Sequence, residues 1–261
     1  DFIAGNIAEV DIDKRFQQGA FDVIFHLASI TDTTEQNQYR QVHDNVEGFR
    51  KLLQWAKSDQ TPLVYASSAA VYGKTETVMG ERCKPSPQNA YAFSKIQLDH
   101  LAGYYRKQYP AWKLVGLRYF NVYGPREAHK RHMASMVYQL YLQMKAGKKP
   151  RIFKDGEQKR DFVYVKDVVE ATLAASVASV PGVYNVGSGV SSSFNDVISR
   201  LNKALGLALD TDYFENPYSF YQNVTQADIS KSREKLCYEP RFDLEHGIDA
   251  YVKWLLKSGE P

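Results

Sequence analysis

Apolar runs alternate with helical stripes along the first half of this chain. Residues 23–28 read Val-Ile-Phe-His-Leu-Ala, a short, nearly continuous apolar run that suits a strand buried on both faces of a parallel sheet. Residues 42–57 follow, with Val46, Phe49, Leu52, Leu53 and Ala56 recurring at helical spacing on one stripe. The next apolar run, Leu63 to Ala66, closes on Ser67 and Ser68. A polar, proline-containing stretch over 74–89 then leads into a helix over 91–108 that carries Leu98, Leu101 and Tyr105. Residues 113–119 read as a third strand. Strands and helices alternating at this spacing predict an α/β fold with a doubly wound parallel sheet.

The second half is less regular. Helical spacing covers 133–145 and stops at Ala146-Gly147, and 151–153 reads as a short strand. A strand over 161–165 feeds a helix running to about residue 178, followed by a strand over 183–187 and a helix over 194–205. The tail, 244–256, places Ile248, Tyr251, Trp254 and Leu255 on one side. No internal repeat, low-complexity stretch or clear linker interrupts the chain. The predicted organisation is discontinuous: a sheet domain from 1–125 with 162–190, and a smaller C-terminal lobe woven from 126–161 with 191–261.

Composition narrows the class. The chain has 261 residues, 44% hydrophobic and 24% charged, enough for one large α/β domain with a lobe attached. Cys83 and Cys237 are far apart and suggest neither a disulfide framework nor a zinc site. No apolar run approaches the ~18 residues that span a bilayer, and no secretory signal opens the chain. A cytoplasmic protein without a membrane partner is expected. The net charge of +3 is unevenly spread: residues 106–161 hold fourteen Lys or Arg against four Asp or Glu. A basic middle in an acidic frame suits an anionic ligand, with a solvated helical face as the alternative, above all for Lys145, Lys148 and Lys149. Nucleic acid is a poor fit, because no binding motif or aromatic-basic array accompanies the charge. His129 and His132 lack a nearby carboxylate cluster, so no metal site is expected, and His26 reads as a packed strand residue.

Candidate chemistry centres on Tyr91 and Lys95. Four residues apart on a helix, they share one face, where a fixed ammonium can lower the pKa of a phenol that ordinarily titrates near ~10. The isolated pair is common on amphipathic helices; Ser67-Ser68 at the end of the preceding strand is what gives it meaning. Doubly wound sheets place ligands at the carboxyl ends of their strands and cradle a dinucleotide's pyrophosphate on a Gly-rich turn after the first strand. The sequence has no such turn, and Gly187-Ser188-Gly189 comes too late to supply it. The expectation is therefore that about fifty residues bearing the first strand and its turn precede residue 1. The strand at 23–28 would otherwise present an unpaired apolar edge.

Several landmarks together resemble the extended short-chain dehydrogenase/reductase family. They are Phe25-His26-Leu27-Ala28-Ser29, Asn45 with Gly48, the run from Val64 through Ser67-Ser68 to Tyr72-Gly73, Tyr91 with Lys95, Arg118-Tyr119-Phe120-Asn121, and Arg160-Asp161-Phe162-Val163-Tyr164 with Asp167. A narrower segment, Gly124-Pro125-Arg126-Glu127-Ala128-His129-Lys130 followed by Met133-Ala134-Ser135-Met136, is similar to the branch of ADP-L-glycero-D-manno-heptose 6-epimerases of lipopolysaccharide core synthesis. That resemblance implies a Rossmann-like fold and epimerisation of a nucleotide-sugar by transient oxidation and re-reduction on a nicotinamide cofactor, NADP or else NAD.

The resemblance also assigns roles. Tyr91 would be an acid/base, Lys95 would hold the cofactor ribose and lower the Tyr91 pKa, and Ser68, with Ser67 as its rival, would bond the reacting oxygen. Lys130 would be a second acid/base, a phosphate-binding or merely solvated Lys being the alternative. Leu27, Ala28, Ser29, Asn45, Val122 and Lys130 would join Tyr91 and Lys95 around the cofactor. Asn121, His132, Gln139, Phe153, Arg160 and Tyr221 would line the substrate with Ser68, His132 and Gln139 standing where better-known members carry Ser and His. Arg160 would meet a diphosphate, unless it pairs with Asp161 or Asp167; Phe153 and Tyr221 could equally be core aromatics. The helices at 42–57 and 91–108 pair across a dimer in this family, so a homo-oligomer is expected. Rival readings are a UDP-hexose 4-epimerase, a 4,6-dehydratase (for which Ala69-Ala70 is wrong after the serine) and a non-catalytic nucleotide-binding relative.

Overall fold

The computed structural model describes all residues except Asp1, Thr34, Gln36, Glu76, Thr77, Lys154, 216–222 and 260–261. Strands β1 (Ile24–His26), β2 (Leu63–Ser68), β3 (Leu114–Tyr119) and β7 (Gly182–Val186) form a parallel sheet in that order. Leu63, Val64, Tyr65, Leu114, Val115 and Leu117 are all buried, as a sheet covered on both faces requires. One face packs on α3 (Gly48–Ala56) and α4 (Ala90–Gln108) through Phe49, Leu53, Leu98 and Ala102. The other packs on α6 (Val165–Ser176) through Val168, Ala171 and Ala175. Helices on opposite faces of a parallel sheet make this the doubly wound architecture the apolar pattern predicted.

A second core gathers Tyr123, Leu140, Tyr141, Phe162, Tyr164, Phe194, Leu201, Ile248 and Leu255. It lies among α5 (Met136–Lys145), α7 (Phe194–Leu205), α9 (Leu244–Ser258) and a mixed sheet of β4 (Asn121–Tyr123), β6 (Lys159–Tyr164) and β8 (Ser191–Ser193). A parallel pair, β5 (Arg151–Phe153) with β9 (Asp212–Phe214), stands apart. Ala227, Ile229, Leu236 and Tyr238, numbered within the span assigned above to the C-terminal lobe, pack beneath the main sheet instead.

Several predicted boundaries move, each for a local reason. The helix expected over 42–57 starts at α2 (Gln38–Gln41), N-capped by the Asn37 side chain, and turns π-helical over Val42–Glu47 before α3. Residues 133–135 are not α-helical: Ala128–Met133 is a 3-10 turn and Ser135 caps α5. The strand expected at 161–165 is displaced to β6 because its first three residues pair antiparallel with β8 and its last three parallel with β4. β1 pairs only with β2 among the described residues, and Phe25 and Leu27 there are 38% and 52% exposed.

Candidate active site

A cleft of about 890 Å³ opens at the carboxyl ends of β1, β2 and β3 and is lined as well by residues from β4, the 3-10 turn, α5, β6 and α6. It gathers Leu27, Ser29, Ser68, Tyr91, Lys95, Asn121, Val122, Lys130 and Arg160, all expected from the sequence, around one space. This is the ligand position that the topology of an open parallel sheet dictates.

Ser68 ends β2 in an extended conformation, its hydroxyl accepting the Ala70 N–H at 3.1 Å and hydrogen-bonded to the Tyr91 phenol. Asn89 starts α4 by accepting the Ala92 N–H at 2.8 Å, which puts Tyr91 and Lys95 on the first turns, facing the strand ends. Lys95 is only 2% exposed and donates to the Ala66 carbonyl at 2.9 Å. Its Nζ lies 5.8 Å from the Tyr91 ring centre. Burial pushes the Lys95 pKa down to about 8, against an opposing pull from the Asp99 carboxylate. The expected lowering of the Tyr91 pKa by Lys95 is not found: burial raises the phenol, and the Ser68 hydrogen bond is what draws it back. The ammonium is committed to the Ala66 carbonyl instead.

A buried polar network backs this wall. Arg118 donates from Nε and NH2 to Asp99 at 3.0 and 2.9 Å, and Tyr65 donates to the other Asp99 oxygen at 3.0 Å. The guanidinium stacks over Tyr72, 4.8 Å from the ring centre, and Tyr72 in turn donates to Asn185 at 2.6 Å. Gly116 makes room for Tyr65: a Cβ there would lie 2.4 Å from the phenol ring.

Lys130 also lines the cleft, exposed on the 3-10 turn. Arg160 is buried in the wall, donates to the Lys159 carbonyl at 2.8 Å, and sits 5.9 Å from the Phe194 ring centre. The carboxylates weighed above as its ion-pair partners are engaged by backbone groups. Asp161 accepts from the N–H groups of Ser188, Gly189 and Ala227 and from the Ser188 hydroxyl. Asp167 accepts from the N–H groups of Arg241 and Phe242.

Other expected residues stand back from the cleft. Asn45 is buried by the π-helical turn, where it accepts the Ile30 N–H at 2.7 Å and donates to Ser94 at 3.0 Å and Gln41 at 2.8 Å. It shapes the segment carrying Ser29 and Thr31 rather than lining the space. Ala28 is exposed outside the lining. His132 points to solvent with Nε2 3.9 Å from an Asp32 oxygen. Gln139 donates to the His132 and Ala134 carbonyls and so braces the turn from beneath. Phe153 packs edge-on against Phe214 with ring centres 5.0 Å apart. Tyr221 lies outside the described residues. His26 is buried and stacked on Phe49, as expected of a packed strand residue.

Thr225, Met133, Met136 and Phe194 also line the cleft, although none was expected there; Met133 and Met136 stood out only as part of a resembling segment. Thr225 arrives through a backbone bond to Lys159 at 3.1 Å, a long-range pairing that local pattern does not encode. Ser67 also lines the cleft, and its buried hydroxyl has no hydrogen-bond partner among the described residues. Among those residues no group of three His, Cys, Asp or Glu is arranged to hold a metal, and no helix is long and apolar enough to cross a membrane.

A sheet of this winding with Ser, Tyr and Lys converging at its carboxyl edge defines a Rossmann-type protein of the short-chain dehydrogenase/reductase class. The NAD dependent epimerase/dehydratase family matches residues 1–187, and the chain belongs to that family. Among solved structures it is similar to the ADP-L-glycero-D-manno-heptose-6-epimerase of Helicobacter pylori, with 40% identity and a TM-score of 0.89 over 97% of this chain and 79% of that one. It is also similar to a UDP-glucuronic acid 4-epimerase mutant of Bacillus cereus solved with NAD and a fluorinated substrate analogue, with 30% identity and a TM-score of 0.87 over 98% and 82% of the two chains. The UDP-glucose 4-epimerase of Thermotoga maritima follows, with 28% identity and a TM-score of 0.85 over 92% and 78%.

Proposed function

We propose that this protein epimerises a nucleotide-sugar at a carbinol carbon, and that the sugar is ADP-D-glycero-D-manno-heptose, inverted at C6 to the L-glycero form for lipopolysaccharide core synthesis. The observation that supports the reading is that Tyr91, with Ser68 and Lys95, and Lys130 line one cleft from different elements, α4 and β2 for the first three and the 3-10 turn for the last. Inversion presents the reacting oxygen in two poses, and two groups able to carry a proton can each serve one of them. The 40% identity to the Helicobacter pylori heptose epimerase supports the choice of sugar.

The cleft suits a nicotinamide dinucleotide: it lies at the strand ends where such cofactors bind, and its lining holds a buried ammonium and the Ser67 hydroxyl, which has no hydrogen-bond partner among the described residues. Leu27, Ser29, Val122, Tyr91 and Lys95 would hold it. The bound cofactor supplies a reversible hydride acceptor, so no net oxidation occurs. Tyr91 moves the proton on the sugar hydroxyl in one pose, Ser68 fixes that oxygen, and Lys130 moves the proton in the other pose. Arg160 bonds the diphosphate, which a guanidinium fork matches. NADP rests on the heptose-epimerase resemblance alone; NAD is the second reading, supported by the NAD bound in the Bacillus cereus relative. A homo-oligomer paired through α3 and α4 belongs to the same reading, supported by the exposed Phe93 and Tyr104 on α4, and sedimentation tests it.

The functional test is incubation with ADP-D-glycero-D-manno-heptose, and separately with UDP-glucose and UDP-glucuronic acid, followed by NMR. Interconversion of the heptose forms alone supports the reading. Turnover of a UDP-sugar alone favours a 4-epimerase, the reading to which the Bacillus cereus and Thermotoga maritima relatives point. Lys130→Met is expected to cut heptose epimerisation about 10²–10⁴-fold, to a slow residual rate, with folding and cofactor binding intact; an active variant with only a raised KM contradicts the role given to Lys130.

A further inference from the structure

The turn that carries Lys130 is strained at both ends. Arg126 has φ 70° and Arg131 φ 52° with ψ −123°, left-handed backbone that costs a residue with a side chain about 1–3 kcal/mol each and persists only where the surroundings enforce it. Gly124, just before, has φ 142°, and a Cβ there would lie 2.6 Å from Val165. The turn is also exposed and short, so its own apolar contacts do little to fix it.

What closes it is one carboxylate. Glu127 is buried, and it accepts the Gly124 N–H at 3.2 Å, the Ser135 N–H at 2.6 Å and the Ser135 hydroxyl at 2.8 Å. It thus joins the first residue of the segment to the last. Ser135 passes the constraint on, accepting the Tyr138 N–H at 3.2 Å to cap α5. The Glu127 main chain completes the clamp, its carbonyl accepting the Lys130 N–H at 2.9 Å. Charge-assisted bonds of this kind are about twice as strong as neutral ones, enough to hold a turn in otherwise unfavourable backbone.

We propose that Glu127 is a positioning residue, whose carboxylate clamps Gly124 to Ser135 and thereby sets where Lys130 stands in the cleft. The proposal rests on the role given to Lys130 above. Only a carboxylate meets the donor set, because a glutamine amide would turn an N–H toward one of the two backbone N–H groups.

The test is a double-mutant cycle between Glu127 and Lys130, read in epimerisation rate. Glu127→Ala is expected to lower kcat about 100-fold, the effect of roughly 1 Å of misplacement, with KM changed less than about threefold. Glu127→Gln, which keeps the volume and one acceptor oxygen, is expected to fall between, about tenfold down, and serves if the alanine variant does not fold. On the residual rate of a Lys130→Met protein, followed over long incubations, either Glu127 change is expected to add nothing. An equal fractional loss in both backgrounds makes Glu127 a general structural residue and overturns the proposal, as does unchanged kcat in the otherwise wild-type protein. If Lys130→Met itself keeps wild-type kcat, the role of Lys130 fails and the proposal falls with it, an outcome separate from the first two.

Discussion

Asp99→Asn strikes the buried network behind Tyr91 and Lys95 while keeping the side chain's shape. Arg118 and Asp99 are 6% and 4% exposed at their side chains, with NH2 and Oδ2 2.9 Å apart. The amide leaves the guanidinium without its counter-charge in a place where Arg118 NH1 already lacks a partner among the described residues. Breaking a buried pair from one side costs about 3–5 kcal/mol. At about 2–4 °C per kcal/mol for a chain of this size, the melting temperature should fall by about 6–20 °C. Combining Asp99→Asn with Arg118→Met removes the stranded charge and should recover much of the loss. The site should register the same change. Asp99 props up the Lys95 pKa against burial, so its neutralisation moves that pKa below about 8 and shifts the alkaline limb of kcat/KM to lower pH. Thermal unfolding of the single and double variants, with a pH–rate profile, is the assay. A loss under about 1 kcal/mol, the range of exposed ion pairs, or an unmoved alkaline limb would refute the reasoning.

Two further changes probe the sheet itself. His26 is buried with its pKa lowered to about 4 by desolvation first and the Lys95 charge second, so the unfolded chain binds the extra proton between pH 4 and 6.5. Stability tied to the neutral imidazole is therefore fully present above about 6.5 and lost as pH falls towards 4, by about 3 kcal/mol in all. Urea unfolding at pH 7 and pH 4.5 should show His26→Phe to be less acid-sensitive than the parent by about that amount, and equal sensitivity would count against a neutral buried His26. Gly116→Ala places a methyl 2.4 Å from the Tyr65 ring; overpacking of this kind costs about 1–3 kcal/mol, read as a drop in melting temperature, and a neutral effect would mean that Tyr65 is free to move.

The main sheet was legible because its strands carry the signal of burial on both faces. Leu63 to Tyr65 are apolar without interruption, and the structure makes them a central strand. The helix at 194–205 was placed to the residue, its start fixed by a reciprocal cap between Ser193 and Asp196. Strand β8, Ser191–Ser193, carries no apolar run, unlike β5, whose Ile152 and Phe153 marked it at the same length. Tyr91 and Lys95 were nameable from their helical spacing, and Ser68 and Lys130 from resemblance to the family, yet neither says where a side chain turns. Lys95 binds a carbonyl, and Asn45 faces a π-helical interior. Nor does the apolar pattern announce left-handed backbone at Arg126 and Arg131, which lie within the segment that Glu127 bridges from Gly124 to Ser135.

Hydride return at a single carbon is the central claim, and epimerisation in D2O tests it most directly. ADP-D-glycero-D-manno-heptose is incubated with the protein in heavy water and the hydrogen at C6 of any L-glycero product is read by NMR and mass spectrometry. Oxidation and re-reduction on one bound cofactor predicts that the L-glycero product keeps protium at C6. Deuterium at C6 would instead show exchange of that hydrogen with solvent, and would contradict the account.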